Sequence, residues 1–125
     1  MGAEKLAVIP LTRDAFAPYG DVVESEGRDS YLINNGMAER FHALARVETK
    51  GDNACPVISL VKSKKFELPR SVDHVEYHPQ GSQAFLPLDQ TPFVVVVAKA
   101  GDAPTPDQLQ AFVTNGRQGI NYHAG

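Results

Sequence analysis

Apolar residues come in short bursts along this chain, and turn-forming residues separate the bursts. Little of the pattern repeats every third or fourth position, as an amphipathic helix would require. The exception lies near the start, in "LTRDAFAPYG". There Thr12 can cap a helix, Asp14 favours its first turn, and Pro18 with Gly20 ends it. Beyond that point the pattern predicts strands over residues 21–23 and 31–33. The second runs into Asn34-Asn35-Gly36, a strong turn signal. Residues 57–61, following Pro56, read as another strand, as do 84–86 and 93–98. The run of valines at 94–97 suits a strand buried on both faces. Residues 101–106 read as loop and 107–111 as one helical turn. Residues 112–114 form a strand entering Asn115-Gly116, and 120–122 form the last. Short strands at turn-marked spacing predict a mainly β barrel or sandwich rather than a βαβ sheet.

Composition narrows the class. A length of 125 residues fits one domain, so 1–125 is expected to form a single unit. With a net charge of −3 and scattered Lys and Arg, the chain lacks the basic stripe of a nucleic-acid binder. The longest apolar run, 93–98, is too short to cross a bilayer. One cysteine, Cys55, leaves no internal disulfide and no cysteine-based zinc site. Pro10 cuts short any apolar leader, and Leu6 stands where a myristoylation signal wants Ser or Thr. The expected setting is the cytoplasm, with a small molecule as partner and neither nucleic acid nor membrane.

Chemistry then turns on four histidines. His42 and His74 sit in charged surroundings and read as solvated surface residues. His78 and His123 differ, because each adjoins both a turn and a core-like strand. In "EYHPQGSQAFLP" (residues 76–87) a carboxylate precedes His78 and the amide of Gln83 follows it. A bland reading makes His78 a turn residue satisfied by Glu76 and solvent. The sharper one makes it a wall of a reactive pocket.

The spacing Glu76-x-His78-x4-Gln83 resembles a weakened first cupin motif. Glu76 replaces that motif's first histidine, Gln83 its glutamate, and Gln90 its glycine. Gly119-x3-His123 resembles the second motif with one extra residue. A closer match comes from blocks in order: "PLTRDAFAPYGDVVE", "INNG", "ER" with His42, "HPQGSQAFLP", "FVVVVA" and "FVTNGRQGINYH". Together they resemble the bacterial ureidoglycolate lyase family, cupins of allantoin degradation in purine nitrogen catabolism. The resemblance implies a cupin-type double-stranded β-barrel or jelly roll with one or two short helices. It also implies a homodimer and no organic cofactor. A divalent metal, nickel or zinc, is associated with the family, and Glu76, His78, Gln83 and His123 are the candidate ligands. Family members continue past the Asn-Tyr-His block with a Trp-His-His-Pro segment and more strands. The chain is therefore expected to be a C-terminally shortened member.

The implied substrate, (S)-ureidoglycolate, carries a hydroxyl, a carboxylate and a ureido nitrogen on one carbon. Releasing glyoxylate and urea needs a base for the hydroxyl proton, an acid for the leaving nitrogen, and a cation for the carboxylate. His78 and His123 suit the proton transfers, because histidine titrates near working pH. Arg40 can hold a carboxylate bidentately, and Lys62 can act as a point charge. Gln83, Asn121 and Tyr122 can orient the substrate's polar groups. Two alternatives stay open: a non-catalytic cupin that binds small acids, and an amidohydrolase that releases ammonia and carbon dioxide.

Overall fold

The computed structural model describes residues 5–125 apart from 66 and 70. Residues 1–4, part of the start weighed above as a leader or lipidation signal, lie outside the described residues. The chain runs β1 (Val8–Pro10), α1 (Arg13–Phe16), β2 (Gly20–Val23), β3 (Tyr31–Ile33), β4 (Ala38–Arg40), β5 (Gln83–Phe85) and β6 (Val94–Val97). A 3₁₀ turn (Pro106–Gln108) then leads to β7 (Gln110–Val113) and β8 (Gly119–Tyr122). Thr12 caps α1 as expected, its hydroxyl accepting from the Ala15 amide at 3.2 Å.

Among the described residues three sheets form: β1-β7-β6, β2-β8-β5 and the hairpin β3-β4. All pairings are antiparallel except β1 with β7, which is parallel. This mainly β architecture is consistent with a cupin-like fold. The hairpin turns through Asn34 and Asn35 at φ 53° and 57°, a left-handed region that asparagine tolerates better than most residues.

The two three-stranded sheets share one core. Phe16 and Ile120 are fully buried, and Val22, Val95, Val97 and Phe112 join them. Phe16 meets Phe112 edge-on, with ring centroids 5.3 Å apart. Burying side chains of this size stabilises the fold by roughly 1.5–3 kcal/mol each. At Gly20 a Cβ would collide with the Asn121 carbonyl oxygen, so glycine lets β2 lie closely against β8.

Three expectations need correction. Residues 57–61 form no strand, because nothing among the described residues offers them a ladder. Val57, Ile58, Leu60 and Val61 are all exposed. The valine strand β6 buries Val95 and Val97 while Val94 is 39% exposed, so only one face packs against the core. The helical turn ends at Gln108, and Ala111 belongs instead to β7, where it pairs with Val8 and Val96.

Candidate active site

Gln83 lies directly opposite Tyr122 in the β5–β8 register, which joins two sequence-distant motifs on one sheet. His123 follows Tyr122 immediately, and its backbone amide donates to the Tyr19 carbonyl at 2.9 Å. His78 opens the turn that leads into β5. That turn is pinned from the side: Lys50 N donates to Gln80 O at 2.9 Å, and Ser82 N to Glu48 O at 3.0 Å. Gly125 N donates to the His78 carbonyl at 2.8 Å, tying the two motifs together through the backbone.

These elements, with residues 72–75 and 96–104, border an open cavity of about 720 Å³. Glu76, His78, Gln83, Tyr122 and His123 all contribute to its wall. Such a volume is ample for a small organic acid. Nε2 of His78 lies 2.9 Å from Glu76 Oε2, and an ionised carboxylate only accepts, so the imidazole donates. Nε2 of His123 lies 3.3 Å from Asp21 Oδ1.

Among the described residues, two groups titrate away from their ordinary values. Burial alone would raise the Asp21 carboxyl. Hydrogen bonding to Asn121 and His123, the Arg46 backbone amide and the charge of His123 together outweigh it, holding Asp21 below its ordinary 3.8. Burial, and then the Glu76 carboxylate, push the Tyr122 phenol up to about 12. Tyr122 is therefore a neutral hydrogen-bonding group at any physiological pH.

Arg40, Lys62 and Asn121 are not brought to this wall. Arg40 pairs with Tyr31 on the separate hairpin and is exposed. Lys62 lies in an exposed irregular stretch. The Asn121 side chain is buried, donating to Asp21 Oδ2 at 3.0 Å and to Arg46 O at 3.1 Å. His42, near Tyr31, and His74 are both exposed, consistent with the surface reading, and His74 also contributes to the cavity lining. Sequence reasoning missed Lys99, the Lys or Arg that lines the cavity among the described residues. Its signal was its place just beyond the end of the valine strand. Asp21 was missed too, although a carboxylate inside the short apolar run "GDVV" was visible.

Of the candidate metal ligands, His78 and His123 each turn Nε2 to a carboxylate, and among the described residues no three His, Cys, Asp or Glu side chains converge into a metal cage.

A cupin-like β fold with paired histidines in one cavity defines the class. The family model described as "Ureidoglycolate lyase" matches residues 3–125, and the chain belongs to that family. Curated relatives named ureidoglycolate lyase agree. That of Pseudomonas paraeruginosa is 52% identical over 120 residues, covering 96% of this chain and 71% of the relative. That of Pseudomonas savastanoi pv. phaseolicola is 50% identical over 121 residues, covering 97% and 71%. That of Stutzerimonas stutzeri is 52% identical over 120 residues, covering 96% and 71%. No helix among the described residues is long and apolar enough to cross a membrane.

Proposed function

We propose that the chain, similar to relatives named ureidoglycolate lyase, is a carbon–nitrogen lyase that splits (S)-ureidoglycolate into glyoxylate and urea. The observation that carries this reading is the opening of His78 and His123, from two distant motifs, into one cavity. One imidazole takes the hydroxyl proton as the carbinol carbon becomes a carbonyl. The C–N bond breaks, and the other imidazole protonates the departing ureido nitrogen. We assign His123 as the base and His78 as the acid. Glu76 orients the His78 ring through Nε2. Gln83 and the neutral Tyr122 phenol orient the hydroxyl and urea groups. Lys99 supplies the cation for the carboxylate, the role that Arg40 and Lys62 had been expected to fill.

The same proposal takes the chain as one cupin-like domain, supported by a core drawn from both three-stranded sheets. It takes the protein as a homodimer, with exposed Val57, Ile58, Leu60 and Val61 as apolar surface for a second copy. A cytoplasmic setting suits the exposed, unpaired Cys55.

Product analysis tests the reading. Incubation with (S)-ureidoglycolate should yield glyoxylate and urea in equal amounts. Ammonia and carbon dioxide in place of urea would make the protein an amidohydrolase. Saturable binding without turnover would make it a small-acid receptor.

A further inference from the structure

We propose that Asp21 is the positioning residue of His123, fixing the imidazole proton on Nε2 so that Nδ1 is the nitrogen that accepts the substrate proton. The inference rests on the reading of His123 as the base. Asp21 does not line the cavity, so it acts only through the ring.

The two carboxylate oxygens have different work. Oδ2 receives the Asn121 amide at 3.0 Å and the Arg46 backbone N–H at 3.3 Å. Oδ1 faces His123 Nε2 at 3.3 Å. Asn121 is itself held in place: it is 1% exposed, sits opposite Asp21 in the β2–β8 register, and donates its other amide hydrogen to Arg46 O at 3.1 Å. Two strands and the Arg46 backbone thus hold the carboxylate, and the carboxylate holds the ring. An ionised carboxylate offers no proton, so the hydrogen in the Asp21–His123 contact belongs to Nε2. The depressed titration of Asp21 agrees with a carboxylate that stays ionised at working pH.

This arrangement makes Asp21→Asn an unusually informative variant. Two donors, from Asn121 and Arg46, converge on the Oδ2 position, so the new amide must place its oxygen there. Its NH₂ group is then left facing His123 Nε2. A donor at that position requires Nε2 to be unprotonated, and the neutral ring switches to the Nδ1–H tautomer. Nδ1 then carries a proton and cannot act as base.

The test combines ¹⁵N-resolved imidazole spectra with kinetics. Long-range ¹H–¹⁵N correlations are recorded on the full chain where the ring is neutral, with His123 assigned by its loss in His123→Gln. The expected result is Nε2–H in the parent and Nδ1–H in Asp21→Asn. With it, kcat should fall about a hundredfold or more while KM stays nearly constant. A variant ring that keeps Nε2–H overturns the proposal whatever the rate. A tautomer switch with unchanged kcat upholds the positioning and removes His123 as the base, so the two failures are distinguishable. Should Asp21→Asn not fold, the parent spectrum still decides, because a parent ring in the Nδ1–H form contradicts the proposed geometry.

Discussion

Gln83 and Tyr122 face each other across the β5–β8 ladder, and that single pairing builds the candidate site. It sets the strand entered from the His78 turn beside the strand that His123 follows. Side chains flanking a hydrogen-bonded ladder are held more closely than side chains far out on a free loop. The pairing therefore supplies part of the orientation that two successive proton transfers require.

Replacing either histidine by alanine should separate activity from stability. The His78 and His123 side chains are 51% and 43% exposed, so neither supports the core. Each variant should lose about a hundredfold or more in kcat while melting close to the parent. Steady-state rates and calorimetry on the same samples decide it. Parent-like turnover in both would remove these residues from the mechanism.

Tyr122 should titrate late. Its folded value, raised from 10.0 to about 12, means that the unfolded chain loses this proton first as pH rises. The protection of the neutral phenol is complete below the ordinary value and is lost as pH climbs through the folded one. An ultraviolet titration of tyrosinate should show a late step that is missing in Tyr122→Phe. A Tyr122→Phe profile matching that of the parent would refute the assignment.

Asp21 acts at the other end of the pH scale. Its folded value lies below 3.8, so its contribution is present above that pH and is lost as pH falls through the folded value. Urea unfolding below about pH 4 should show a steeper loss of stability in the parent than in Asp21→Asn. Parallel curves would mean that the carboxylate gains nothing from its partners.

Lys99→Met should raise KM several-fold and leave the melting temperature unchanged, because Lys99 lines the cavity yet is exposed. Arg40→Lys should leave KM unaltered, since Arg40 stands on the hairpin away from the cavity wall. A reversed pattern would restore the assignment made from sequence.

Gly20→Ala should destabilise by about 1–3 kcal/mol, the usual cost of forcing a methylene into a filled space. The added Cβ would collide with the Asn121 carbonyl, so β2 and β8 must separate. Because Asp21 and His123 depend on that pairing, the same variant should also lose activity.

Much of this organisation was legible because it is local. The Thr12 cap, the Asn34-Asn35-Gly36 turn and the strands around Phe112 and Ile120 are each specified by neighbours in sequence. The stretch 57–61 has strand-like composition, yet a strand also needs a partner. Composition does not reveal where that partner lies. Five site candidates reach one cavity because each borders a turn or strand end that the ladder gathers. Lys62 is a candidate by its charge, and Arg40 by its bidentate fork and its place after the Asn34-Asn35-Gly36 turn, and neither feature carries information about direction. Asp21 escaped notice because its role depends on strand pairing with a residue far along the chain.

The exposed run 57–61 has a colloidal consequence. Val57, Ile58, Leu60 and Val61 form a short, uncharged, β-prone surface of the kind that seeds cross-β stacking. Lys62, Lys64 and Lys65 follow it at once, and all three are exposed. Each added copy in a growing stack would align these cations with those of its neighbour, and that repulsion accumulates with every layer. The lysines thus act as gatekeepers against open-ended growth, and their protection weakens as salt shortens the reach of their charge.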